Sequence, residues 1–229
     1  MAEQVQSEFD KMVQGASGPE MADIVEPEEQ STGIQLANFS STVTMDASDV
    51  QIPRLRLTQG LTQEVQDGNA KPGQWILTGF DPIDELKVIP IMFARNRNLR
   101  DEEGSILCHS NDAEVGEGEP GGVCDGCVMN QWKDGDKGKR VPPRCTFSYV
   151  YIVYIPLWST MALVEFKRTS ITAGKTLNTI VATRGIGNVA VKLRAAKQTG
   201  NKGTFYQAIV GPDHATPEEL ADARMYIRK

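Results

Sequence analysis

From residue 52 onward apolar and polar positions alternate in short runs, the period-two signature of half-buried strands. Ile52-Pro53-Arg54-Leu55-Arg56-Leu57 is the first such run and marks the entry to a folded domain. Turn residues at Asp67-Gly68-Asn69 and Lys71-Pro72-Gly73 precede a second run, Gln74-Trp75-Ile76-Leu77-Thr78. Asp81-Pro82 then leads into a third, Leu86-Lys87-Val88-Ile89-Pro90-Ile91-Met92-Phe93, where Pro90 predicts a bulge or an edge position. The strongest strand signal follows Cys145. Phe147, Tyr149 and Tyr151 lie at period two on one face, with Val150 and Ile152 on the other. Its hairpin partner is predicted over residues 161–168, after a loop at 156–160.

The pattern then changes period. Ser170 predicts the cap of a helix running to about Thr183, with Ile171, Leu177, Ile180 and Val181 as its apolar stripe and Lys175 exposed. Gly174 runs against a helix. Residues 189–197 and 204–210 read as two strands around a turn at Thr199-Gly200-Asn201-Lys202-Gly203, and Thr216-Pro217-Glu218-Glu219 opens a short C-terminal helix. Two glycine motifs imitate phosphate loops. Gly174-Lys175-Thr176 lacks the first glycine of a Walker loop, since Thr169 stands there, and Gly185-Ile186-Gly187-Asn188-Val189-Ala190 follows a helix rather than a strand; both read as ordinary structure.

Residues 1–50 lack this patterning. They carry ten acids and one lysine, a balance of −9, and read as a largely disordered acidic arm. Residues 144–210 carry nine Lys/Arg and one glutamate, a balance of +8, within a chain whose net charge is −6. Such separation points to a basic surface distinct from the arm, although a solvated face explains the same counts. At 229 residues with 40% hydrophobic content the chain is long enough for one good core plus extensions. No run approaches a membrane span and no basic-then-apolar leader opens the chain, so an intracellular, non-membrane protein is expected.

All four cysteines fall in one polar, glycine-rich stretch: Cys108, Cys124 and Cys127 in a Cys-Asp-Gly-Cys turn, and Cys145. Two thiolates on one tight turn with a flanking cysteine on each side form the soft donor set of a closed, structural zinc site. Two disulfides or four unrelated thiols are the alternatives. His109 could replace its neighbour as ligand. No His-x-Glu pair is present for deaminase chemistry, and neither histidine joins a recognisable catalytic set, so no enzyme is expected.

Six or seven short strands with a late helix, a cysteine loop over 104–145 and rings beside cations make a mainly β, OB-fold-like barrel pattern with an insertion. On Ile52-Pro-Arg-Leu-Arg-Leu, Lys71-Pro-Gly, the Cys124-Asp-Gly-Cys turn after Cys108, and Phe166-Lys-Arg-Thr-Ser with Ala173-Gly-Lys, the chain resembles the single-stranded DNA-binding proteins encoded by bacteriophages. The likeness covers roughly residues 50–210.

The resemblance implies a sequence-independent protein that coats unpaired DNA during phage replication or recombination in the host cytoplasm, with zinc ordering part of the groove. It divides the chain into the arm 1–50, a binding domain 51–212 and a terminal helix within 213–229. Lys167, Arg168, Lys192, Arg194 and Lys202 are then expected on phosphates, with Lys175 on the helix. Phe147, Tyr149 and Tyr151 are expected to stack on bases, with Trp132 from the cysteine loop. Taken alone, the same ring stripe reads as core. Proteins of this kind carry an acidic tail at the C-terminus that recruits replication partners; here the acids lie at the N-terminus and the chain ends Arg228-Lys229. The competing expectation is a zinc-stabilised protein-interaction module with no DNA affinity.

Overall fold

The computed structural model of the chain describes residues 51–135, 138, 140–200 and 203–227. The acidic arm, Lys202 and Arg228-Lys229 lie outside the described residues. The described chain is mainly β. Its body is built from β1 (Arg54–Leu57), β2 (Trp75–Ile76), β3 (Leu86–Arg100), β9 (Thr146–Ile155), β10 (Thr160–Lys167), β11 (Ala190–Gly200) and β12 (Gly203–Asp213). Five shorter strands belong to the cysteine loop: β4 (Ile106–Ser110), β5 (Val115–Gly118), β6 (Gly122–Val123), β7 (Lys133–Asp134) and β8 (Arg140–Val141). A short helix α1 (Gln63–Gln66), absent from the sequence expectation, precedes α2 (Ile171–Arg184) and α3 (Pro217–Met225).

The main sheet runs β2-β1-β10-β9-β3-β4-β5-β6, with β11 and β12 branching from the first residues of β3. Pro90 sits where the β3/β9 register shifts between Pro90 and Met92, the bulge its missing N–H predicts. β1 joins β10 in parallel through Arg54 and Leu55, and pairs with β2 through Arg56 and Leu57.

A closed barrel was the expectation, and no backbone ladder closes this sheet among the described residues. β2 pairs with the end of β1, and no strand of β1 or β2 pairs with β12. The gap is bridged by one side chain instead. Gln59 Nε2 donates to the Tyr206 carbonyl at 2.8 Å and Gln59 Oε1 accepts from the Tyr206 N–H at 2.8 Å, so an amide side chain imitates one rung of a ladder.

Alternation along β9 divides the apolar residues into two cores. Tyr151, Val153 and Ile155 face inward with Leu55, Trp75, Val88, Val164, Phe166, Val191 and Leu193, under Ala173 and Leu177 of α2. Ile152 and Tyr154 face the other way and pack with Ile89, Ile91, Ala190 and Ala223 beneath α3. Helix α3 opens with a full capping box between Thr216 and Glu219. Ser170 occupies the predicted cap position of α2 but does not cap it; its Oγ accepts from the Ala208 N–H of β12 at 3.2 Å. Gly174 is where α2 comes down on the sheet. A Cβ there would lie 2.7 Å from the Tyr149 ring and 3.0 Å from Phe166 Cβ.

Candidate functional site

The period-two face opposite the core is not covered along its whole length. Where α3 ends its contact, the outer face of β3, β9 and β10 presents Asn96, Asn98, Arg100, Thr146 and Lys167, and with Arg54, Arg144 and Arg168 these line a groove of about 630 Å³. A second cavity of about 380 Å³ lies at the open seam between β1 and β12 and shares Arg54, Glu165, Lys167 and Arg168 with the first. Six exposed cations, Arg54, Arg56, Arg100, Arg144, Lys167 and Arg168, therefore lie along one continuous depression.

Few of these charges are neutralised. Arg56 pairs with Glu64, and Lys167 Nζ lies 2.6 Å from Glu165. Arg54, Arg100, Arg144 and Arg168 have no carboxylate within salt-bridge distance among the described residues. Burial pushes the Glu165 carboxyl up, but hydrogen bonds from Lys167 and Ser148 and the charges of Lys167 and Arg54 reverse this and hold it below its ordinary value. Glu165 is therefore a fixed anion that positions Lys167. Arg168 adopts φ 49°, a left-handed conformation uncommon outside glycine, at the entry to α2.

Lys167 and Arg168 are the two predicted phosphate contacts that the structure brings into the groove. Lys192 and Arg194 do share a face of β11, as alternation requires, but both stand beside Glu85, at 3.4 and 3.7 Å. They line neither cavity, because β11 pairs with Leu86–Val88 at the far end of β3 from Asn96–Arg100. Lys175 is exposed on α2 and also lines neither cavity; Lys202 falls outside the described residues.

The ring stripe requires correction. Tyr151 is 1% exposed, its hydroxyl is hydrogen-bonded to Asn178 of α2, and burial, with a smaller push from Tyr149, raises its phenol to about 12. Tyr149 is half-buried under Gly174, and Phe147 is half-buried beneath the Arg97 guanidinium, 5.1 Å from its ring centre. α2 packs on Tyr149 and Tyr151, so Tyr151 cannot stack on a base. Trp132 is exposed, with the Arg140 guanidinium 5.5 Å from its ring centre across the β7–β8 hairpin. Arg54, Arg56 and Arg144 were missed, while Arg100 belongs to the run Arg95, Arg97, Arg100, which reads from the sequence either as phosphate contacts or as solvated charge. Arg54 and Arg56 had a signal in the sequence, since they are the polar positions of the alternating run Arg54-Leu55-Arg56-Leu57.

The four cysteines line one small pocket of about 20 Å³ on the inner-face side of β3, beside Arg97, Met129 and Asn130. β4 and β5 carry the loop there through a turn tied by Asp112, whose carboxyl accepts the N–H groups of Glu114 and Val115 and the Ser110 hydroxyl and is thereby lowered to about 2. Gly126 takes φ 80° between Cys124 and Cys127, as their tight turn needs. A Cβ at position 116 would stand 2.9 Å from Cys108 Sγ and 3.7 Å from Cys124 Sγ, so the glycine leaves the room in which these sulfurs approach.

All four cysteines are free thiols, and Cys145 is pushed up by burial and by the other three, against the opposing charge of Arg97. As the side chains lie, no set of three or more His, Cys, Asp or Glu residues among the described residues is placed to hold a metal ion. In donor chemistry four thiols around one pocket are of the kind a soft divalent ion takes.

Among the described residues no helix is long and apolar enough to cross a membrane. A family model described as Pam3 phage gp34-like protein matches residues 35–227, most of the chain. No curated protein and no solved structure matches it.

Proposed function

We propose, for a chain that belongs to the Pam3 phage gp34-like protein family, that it binds single-stranded DNA without sequence preference and coats it during phage DNA replication or recombination. One observation carries this reading: the continuous depression of groove and seam cavity with six exposed cations, four of them without a carboxylate partner among the described residues. A strand lying across β3, β9 and β10 would meet Arg100, Arg144, Lys167, Arg168 and Arg54 in turn, with the Asn96 and Asn98 amides beside the bases.

Cys108, Cys124, Cys127 and Cys145 would hold a structural zinc ion that ties β4, the Cys124–Cys127 turn and the start of β9 together. The protein then acts by binding, with no catalytic step. The acidic segment 1–50 is the surface proposed to meet other replication proteins, and the host cytoplasm is the proposed location. Exposed Val115, Val123, Val128, Trp132 and Val141 on the cysteine loop favour a second reading, a zinc-stabilised protein-interaction module without DNA affinity.

Fluorescence anisotropy of a labelled poly-dT strand separates the two. The DNA-coating reading expects tight binding that duplex does not displace, with log K falling against log salt at a slope of about −3 to −4 if five phosphates are neutralised. Absence of binding at low salt in zinc-loaded protein removes it in favour of the interaction module.

A further inference from the structure

The seam cavity between β1 and β12 differs from the groove it adjoins. Leu55, Leu57, Leu163 and Trp75 give it an apolar floor, and Arg54 and Arg168 stand among the cations at its rim. Trp75 is 2% exposed, and its indole N–H, buried beyond the reach of water, has no acceptor among the described residues.

The 14-residue helix α2 starts at the wall of this cavity. Its N-cap residue, Ser170, is part of the lining, and no side chain caps its first turn because Ser170 is engaged by Ala208. The positive end of the helix dipole thus lies near the rim cations. Glu165, the acid in the lining, is held by Lys167 at 2.6 Å and by the Ser148 hydroxyl at 2.8 Å. A volume of about 380 Å³ falls within the usual range of small-ligand pockets, roughly 300–1,000 Å³.

We propose that the seam cavity binds one nucleotide. Its base lies on the apolar floor beside Trp75; its phosphate lies at Arg54 and Arg168, near the start of α2. The inference rests on the DNA-binding reading and names the unit that is captured, whether a free nucleotide or one nucleotide of a strand.

The full-length variant Trp132→Phe/Trp158→Phe leaves Trp75 as the one tryptophan of the three. It is titrated with oligo-dT, with an abasic oligonucleotide of equal length and with thymidine monophosphate, reading Trp75 emission, while anisotropy of labelled strands reports binding itself. The expected result is a change in Trp75 emission with oligo-dT and binding to the abasic strand weaker by about tenfold or more, the size of one lost base contact. A response to the monophosphate at similar concentration assigns the pocket to free nucleotides; a response to the strand alone assigns it to DNA.

Strand binding with Trp75 emission unmoved and abasic affinity undiminished overturns the pocket and leaves DNA coating in place. A Trp75 response to the monophosphate without strand binding overturns DNA coating and keeps the pocket. Silence in every arm overturns both. Thr169→Trp, at an exposed position of the lining in the otherwise native protein, supplies a second test that leaves the core intact. It should obstruct the cavity and lower affinity for oligo-dT by about tenfold, and unchanged affinity overturns the pocket.

Discussion

Gln59→Ala cuts a hydrogen-bonded bridge across the seam. The side chain makes two hydrogen bonds of 2.8 Å to the backbone of Tyr206, one donated and one accepted, and its amide orientation follows from those partners: an N–H must meet its oxygen and a carbonyl its nitrogen. Each such bond contributes about 0.5–1.5 kcal/mol net, so the pair contributes about 1–3 kcal/mol. Tyr206 is half-buried, and water reaching its freed groups places the expected loss in the lower half of that range. In urea unfolding this moves the midpoint down by roughly 1 M with an unchanged slope. Gln59→Glu keeps the acceptor for the Tyr206 N–H but sets a second oxygen against its carbonyl, and should lose at least as much. Amide hydrogen exchange supplies the local readout: the Tyr206 N–H should exchange faster in both variants while that of Val153, in the core, follows only the global change. A Gln59→Ala protein as stable as the native one, with Tyr206 exchange unaltered, would refute the idea that this side chain closes the sheet.

Other variants probe the remaining contacts. Gly174→Ala gains about 1 kcal/mol of helix propensity yet forces a methyl to 2.7 Å from the Tyr149 ring; with overpacking costing about 1–3 kcal/mol the net result should be lower stability by thermal melt. The Lys87 ammonium beside the Glu219 carboxylate, at 2.7 Å, holds that carboxyl below its ordinary 4.5. A lowered folded value means stability that is present above the unfolded value and lost as pH falls through the folded one. Acidification from pH 5 should therefore weaken native protein more than Lys87→Met, read as the pH dependence of the unfolding midpoint. Arg144→Ala and Arg54→Ala should each lower affinity for poly-dT and make its salt slope shallower by about 0.7. Cys124→Ser, or a strong chelator, should raise amide exchange across residues 106–130 and shift Trp132 emission, leaving exchange in β9 and β10 little changed.

Local chemistry was the legible part of this molecule. Pro90 announced a bulge or an edge, Thr216 to Glu219 the start of a helix, and the Cys124–Cys127 spacing its tight turn, because each depends on residues a few positions apart. The alternation of Phe147, Tyr149 and Tyr151 gave a correct strand and one shared face. What covers that face is a tertiary matter, and only Gly174 hinted that α2 would come close enough to bury Tyr151. Gly174 counted against a helix on propensity; in the fold it is the residue that lets the helix touch the sheet. The groove was legible by half for a related reason. Lys167 and Arg168 stand in one run, whereas Arg54 reaches them through a parallel pairing, Arg54 opposite Leu163, that no local pattern encodes. Ser170 was read as a cap and serves as an acceptor for β12, a choice between two partners that the sequence leaves equal.

That parallel pairing also orders the assembly of the molecule in time. Arg54 lies opposite Leu163, so 109 positions separate the first strand from the neighbour it needs. β3, β9 and β10 pair antiparallel, and β9 and β10 are joined by a short turn that can form early. β1 is made before them and can pair with β2 early, yet its place in the main sheet waits until β10 is made. The strand that contributes Arg54 and Arg56 is thus among the last to be placed, and the DNA-facing groove and the seam cavity come into being together, as the closing act of folding.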